Sequence, residues 1–217
     1  MKGVGVIGAG RMGRAIATAI AEATAEPTLV CSGRSIGRPQ GMPQFCTGAT
    51  LDELLASCRL VVLALPFPVA VALLSGPAGR RGGGRTLIDT TNPGLCPGSV
   101  VSPWRSGGEQ IAASAPGWQV AKAFNTVPAE QMGACRLDDG PVAVPIAGAP
   151  CARAEAAALA IQLGFEPLDA GGIEGSRELE SLAVLLVTVS AAQGMRGGIG
   201  IRIGQPQRPA TVAGTMP

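Results

Sequence analysis

The chain has 217 residues, of which 47% are apolar and 15% charged, with a formal net charge of +2. This suits one core of roughly 150 to 200 residues with a small appendage, and it argues against two large domains, a disordered chain or a nucleic-acid-coating surface. The six cysteines (Cys31, Cys46, Cys58, Cys96, Cys135 and Cys151) form no C-x-x-C pair and histidine is absent, so no metal site is expected and the cysteines are read as small core residues.

The first run, Val4 to Ile7, is a short buried strand that stops at Gly8, and Arg14 to Ala25 follows as an alanine-rich helix. Because this strand starts at Val4, the expectation is that no leader precedes the fold. Thr28 to Cys31 is a second buried strand. From Gly33 to Gly48 the composition turns to Gly, Pro and polar residues, so the helix expected there is shortened or replaced by a loop. Thr50-Leu51-Asp52-Glu53 has capping-box spacing and opens a helix to about Ser57. Leu60 to Leu65 is a continuous apolar strand. The whole apolar run to Leu74 contains Pro66 and Pro68 and is too short to span a bilayer. The expected setting is therefore the cytoplasm, with reduced thiols and no membrane partner.

Beyond it the pattern gives helix at Val69 to Leu74, strand at Thr86 to Thr90, helix at Glu109 to Ala115 and strand at Gln119 to Phe124. Apolar strands alternating with helices predict an α/β fold, a Rossmann doubly wound parallel sheet covered on both faces. Val142 to Ile146 reads as strand, Cys151 to Leu163 as helix, Phe165 to Asp169 as strand and Ser176 to Ala192 as a helix started by Ser176. The expected organisation is a dinucleotide-binding domain over 1–148, a small C-terminal helical lobe over 149–203 and a tail over 204–217. The apolar run Leu179 to Ala192 exceeds what its own core needs, which predicts a homodimer.

Gly8-Ala9-Gly10-Arg11-Met12-Gly13 has the spacing G-x-G-x-x-G between a buried strand and a helix N-terminus, where a pyrophosphate is held. Gly8 permits the sharp turn, Gly10 lets the phosphates approach the backbone, and Gly13 lets helix close on strand. At the end of the second strand, where a carboxylate would accept ribose hydroxyls, stand Ser32, Arg34 and Ser35, with Arg38 nearby. A guanidinium flanked by hydroxyls fits a 2′-phosphate, so the expected cofactor is NADP.

Further segments extend the pattern: Ser32-Gly33-Arg34, Ile88 to Pro93, Val120 to Val127, Leu168 to Gly171, Ser176 to Glu180, Gly194-Met195 and Gly200-Ile201. With the glycine turn they resemble the coenzyme F420-dependent NADP oxidoreductase family, whose fold also serves as the cytosolic reductase domain of the STEAP metalloreductases. The resemblance implies hydride transfer between NADPH and a deazaflavin, coenzyme F420, or a flavin. It places Leu65, Pro66, Phe67, Asn92 and Pro93 beside the nicotinamide, and Phe124, Asn125, Thr126 and Val127 beside the second ring. Asn125 stands where some members have histidine.

Ring-to-ring hydride transfer needs alignment in a dry, apolar setting more than it needs an acid or base, and a chain without His or Tyr suits it. Lys122 keeps two readings, a proton donor with Asn125 beside it, or a strand-end lysine that reaches solvent or a ligand phosphate. With Lys122 as donor, the chain is a reductase of a small C=N, C=C or C=O group; a non-catalytic NADP sensor is the third class. Asp89 and Asp169 are read as turn caps, and Arg177 either binds an anionic ligand or pairs with Glu180.

Overall fold

The computed structural model describes residues 3–24, 28–32, 41–100, 102–133, 136–137, 140–195 and 199–204. The elements are β1 (Val4–Ile7), α1 (Arg11–Thr24), β2 (Thr28–Cys31), β3 (Cys46–Gly48), α2 (Leu51–Ser57), β4 (Leu60–Leu63), α3 (Phe67–Ser75), α4 (Pro77–Arg80) and β5 (Thr86–Asp89). They continue with α5 (Gly107–Ser114), β6 (Gln119–Lys122), β7 (Arg136–Leu137), β8 (Gly140–Pro141), β9 (Ala143–Gly148), α6 (Pro150–Gln162), β10 (Glu166–Asp169) and α7 (Ser176–Ala192). Among the described residues no helix is long and apolar enough to cross a membrane.

Short β-branched and leucine runs form the strands, and their alternate residues face opposite layers. Val4, Val6, Val62 and Ile88 join one core with Ile16 and Ile20 of α1 and Leu159 of α6. Ile7, Val61, Leu63 and Leu87 join another with Leu54 of α2, Phe67 and Leu74 of α3 and Ile111 of α5. Period-two alternation within fully apolar strands is the condition for burying a parallel sheet on both faces.

The main sheet runs β10-β9-β6-β5-β4-β1-β2-β3. From β3 to β6 all pairings are parallel, which gives the Rossmann doubly wound order. β9 then joins β6 antiparallel and β10 joins β9 parallel, so sheet pairing continues across residue 148. α7 packs against α5 and β9.

Several local expectations change. β3 forms inside the Gly/Pro-rich segment because Cys46 to Gly48 pair with β2. α1 begins at Arg11 rather than Arg14, bringing Arg11, Met12 and Gly13 into its first turn. Ser176 is not the cap of α7: Gly175 precedes the helix without a side-chain bond, and the Ser176 side chain is fully buried where α7 meets α5. The cysteines divide, with Cys31, Cys46 and Cys58 buried and Cys151 exposed; Cys135 lies outside the described residues. Burial pushes the Cys58 thiol up to about 11, against the opposing charge of Arg85.

The capping box at Thr50 and Glu53 is present, and a second one, Ser106 with Glu109, starts α5. In each, the Thr or Ser backbone amide and then its hydroxyl donate to the glutamate and hold its pKa below 4.5. A depressed folded value stabilises the fold above the unfolded pKa, and that contribution is lost as pH falls through the folded value. Ser106→Ala is expected to lower stability by about 1 kcal/mol at neutral pH. Urea unfolding should show the difference narrowing in acid as Glu109 is protonated.

Candidate functional site

The site grows from the glycine turn at the carboxyl end of β1. Gly8 has φ +116°, and a Cβ there would stand 2.2 Å from the Ala64 carbonyl oxygen, so glycine is required on both counts. A Cβ on Gly13 would come within 2.0 Å of the Gly8 oxygen, which is the close helix-to-strand approach expected of the third glycine. Around Gly10 a Cβ would meet nothing within 4 Å, leaving open space at the N-terminus of α1. Leu65 packs over Gly8.

Beside this turn, a cleft of about 600 Å³ opens along the carboxyl ends of the central strands. Arg11 and Met12 line it from α1, Asn92 and Leu95 from the β5 loop, and Asn125, Thr126, Val127 and Pro128 from the β6 loop. The remaining wall is α7, through Ala183, Leu186, Val187, Ser190 and Ala191. The lining is mostly apolar, with its polar groups at the floor and mouth.

At the floor two amides lock each other. Asn92 Nδ2 donates to the Asn125 carbonyl at 2.6 Å, while Asn125 Nδ2 donates to Asn92 Oδ1 and to the Leu179 carbonyl, each at 3.0 Å. These bonds fix both amide orientations. Phe124, at φ 60°, turns the chain out of β6 so that Asn125 and Thr126 enter the cleft. Its own ring is fully buried, edge-on to Phe165 with centroids 5.9 Å apart.

At the mouth Arg11 pairs with Glu130, joining the glycine turn to the segment after β6. The Glu130 backbone amide, then the Arg11 guanidinium, hold the Glu130 carboxyl below the ordinary carboxylate range. It is therefore ionised at neutral pH and has no proton to donate there.

Beneath the floor lies a buried charge cluster. Lys122 is fully buried, and its Nζ reaches the Thr91 carbonyl at 2.7 Å, Asp89 Oδ2 at 2.8 Å and Glu180 Oε1 at 3.2 Å. The Thr91 carbonyl takes a hydrogen bond from the ammonium, and the two carboxylates face it as ion-pair partners. Lys122 thus reaches neither solvent nor the cleft, and in this geometry neither earlier reading of it applies; its setting is an internal ion network. Asp89 also accepts from the Thr91 amide and Asp169 from the Gly171 amide, both at 2.8 Å, as the turn-cap readings expect. Arg177 faces Glu109 at 3.6 Å rather than Glu180, whose carboxylate is taken by Lys122 and by the Gly107 and Gly108 amides.

The sequence-predicted residues separate accordingly. Arg11, Met12, Asn92, Asn125, Thr126 and Val127 meet in the cleft; Gly8, Gly10, Gly13 and Leu65 form the turn beside it. Pro66 is exposed ahead of α3, whereas Phe67 and Phe124 face the cores and Pro93 packs beside Gly107. Ser32 is half-buried after β2, and Arg34, Ser35 and Arg38 lie outside the described residues. Sequence reasoning missed the α7 wall, Glu130 and the role of Glu180. The spacing Ser106-Gly107-Gly108-Glu109 was the available signal for the N-terminus of α5, on which Glu180 docks.

Comparison with known proteins places this architecture. Residues 3–93 match the family model described as NADP oxidoreductase, coenzyme F420-dependent. The metalloreductase STEAP3 of Rattus norvegicus is 28% identical over 185 residues, which cover 85% of this chain and 37% of that protein. The chain thus spans little more than a third of that curated relative. The crystal structure of a protein proposed to be an F420-dependent NADP-reductase, from Arthrobacter sp. FB24, superposes with TM-score 0.80 at 26% identity. That match covers 94% of this chain and all of the other. A reductive aminase from Aspergillus terreus, in complex with NADPH and ethyl levulinate, shares the fold at TM-score 0.65 and 20% identity, covering 89% of this chain and 63% of its own.

Lys122→Met leaves two buried carboxylates without their cation. It is expected to cost about 3–5 kcal/mol of stability, read from the urea midpoint.

Proposed function

We propose that the chain, whose residues 3–93 match the coenzyme F420-dependent NADP oxidoreductase model, is a reductase of that family and moves hydride between NADPH and a deazaflavin such as coenzyme F420, or a flavin. The observation that carries this reading is the cleft itself. It is open, mostly apolar and walled by α7, and it starts beside the glycine turn. Hydride passes when donor and acceptor carbons stand about 3–3.5 Å apart in a water-poor setting.

In this reading Gly8, Gly10, Arg11, Met12 and Gly13 hold the pyrophosphate, and Ser32, Arg34, Ser35 and Arg38 receive the 2′-phosphate. The nicotinamide lies across Leu65, Pro66, Asn92 and Asn125. The second ring stacks between it and the wall of Thr126, Val127, Leu186 and Val187. The protein aligns two rings and excludes water, and NADPH supplies the hydride. The surroundings support this division: Lys122 is held away from the cleft in a buried ion cluster, Glu130 is ionised, and the chain has no histidine.

We also place the protein in the cytoplasm as a homodimer. Val184 and Leu185 leave apolar side chains of α7 exposed outside the cleft, which supports association of two copies. Sedimentation velocity across a concentration series should show a dimer, and a monomer at every concentration would remove that part of the reading.

Stopped-flow absorbance decides the activity. NADPH, but not NADH, is expected to bleach coenzyme F420 or FAD rapidly when mixed with the protein. Oxidation of NADPH by a small imine or ketone, with both ring acceptors inert, would instead assign the cleft to C=N or C=O reduction. NADPH binding without oxidation by any acceptor would assign a sensor.

Gly10→Ala separates cofactor binding from folding, because a methyl there meets only open space. Thermal unfolding should stay within about 0.5 kcal/mol of the parent, while NADPH affinity falls about tenfold or more, the equivalent of about 1.4 kcal/mol. Unchanged affinity would show that the pyrophosphate lies elsewhere.

A further inference from the structure

We propose that Lys122 and Glu180 are positioning residues for the second ligand. Their buried ion pair sets α7, one wall of the cleft, against the β5 and β6 loops that form its floor. The inference rests on the reading that this cleft takes the hydride partner.

Neither residue touches the cleft. Lys122 is fully buried and the Glu180 side chain is 12% exposed, and both lie beneath the lining residues. What they do is join four elements at one point. Lys122, at the end of β6, donates to the Thr91 carbonyl after β5 and pairs with Asp89 of β5. Glu180, in the second turn of α7, pairs with Lys122 and accepts from the Gly107 and Gly108 amides at the start of α5. One residue earlier, the Leu179 carbonyl accepts from Asn125, the amide locked to Asn92 on the cleft floor.

A helix transmits such a constraint along its axis. With α7 fixed at Leu179 and Glu180, the residues one, two and three turns on, Ala183, Leu186 and Ser190, are set where they line the cleft. The dinucleotide turn is supported differently. Gly8 closes against Ala64 just after β4, Gly13 of α1 closes on the Gly8 carbonyl, and the Gly8 amide bonds to the Cys31 carbonyl of β2. The two halves of the site therefore have separate supports, and loosening the tie should disturb the second ligand while sparing the cofactor.

Glu180→Gln tests this while keeping the Asp89–Lys122 pair. Its single side-chain oxygen replaces a carboxylate that now accepts from two amides and pairs with the Lys122 ammonium. The dissociation constant of coenzyme F420, read from its own fluorescence with NADP bound, is expected to rise about five-fold or more, as for a lost charge-assisted hydrogen bond. That of NADPH should stay within about two-fold, since the two supports are separate. Amide hydrogen exchange should quicken over 176–187 and stay unchanged over 4–20.

Gly108→Ala gives a second route that leaves the charges alone. The added methyl would stand 2.2 Å from Ser176 Oγ and 3.0 Å from Lys122 Cε, so it pushes α7 away from α5. The same selective loss is expected. Equal loss of NADPH and F420 affinity, or unchanged F420 affinity in the folded variants, overturns the proposal. If the parent protein binds no F420, the hydride-partner reading fails, and exchange alone decides the tie: unchanged exchange over 176–187 in Glu180→Gln refutes it.

Discussion

An ammonium group with no access to water must find its whole hydration shell inside the protein, and Lys122 does so with one carbonyl and two carboxylates. Satisfying it fixes how β5, β6, α5 and α7 approach one another. The two carboxylates outnumber the single cation, and one of them, Glu180, also accepts from the first amides of α5. A helix N-terminus carries partial positive charge and unsatisfied N–H donors, so it completes the cluster. Ser106 and Glu109 cap the same helix end from the other side, and Gly107 and Gly108 leave the space through which Glu180, Ser176 and Lys122 approach.

Above this cluster the site is made of strand ends. The parallel order of β3 to β6 brings the loops after β1, β5 and β6 to one edge of the sheet, where the glycine turn, Asn92 and Asn125 meet. The apolar character of the cleft follows from what it borrows. Its far wall is α7, whose inner side covers β9 and whose remaining side chains are left over to face a ligand.

How much of this the sequence discloses depends on the range of the interaction. The strand, turn and first helix are legible because Val4 to Gly13 specify them with neighbouring residues, and Thr50 with Glu53 announces α2 in the same way. The edge strand β3 escapes because three residues beside Pro43 carry little pattern of their own and gain strand geometry only by pairing with β2. The antiparallel entry of β9 is likewise invisible, since strand direction is a property of the partner. Phe67 and Phe124 belong to the family pattern, but a motif match states sequence position, and here both rings turn inward. Lys122 drew notice as an isolated lysine in an apolar run, yet its partners, Asp89, Thr91 and Glu180, come from distant parts of the chain. No local rule joins them. Arg34, the residue on which the preference for NADP rests, lies outside the described residues.

The place of Glu180 late in the chain also orders assembly on the ribosome. Synthesis delivers the six parallel strands well before α7, and domains tend to fold from the N-terminus as they emerge. Until Glu180 leaves the exit tunnel, Lys122 lacks one of its three partners and the first amides of α5 lack their acceptor. The nascent sheet can collapse, but its carboxyl edge, the edge that will carry the cleft, closes only when α7 arrives. Completion of the cleft is thereby tied to completion of α7, so a chain truncated before residue 180 emerges with one wall of the cleft unmade.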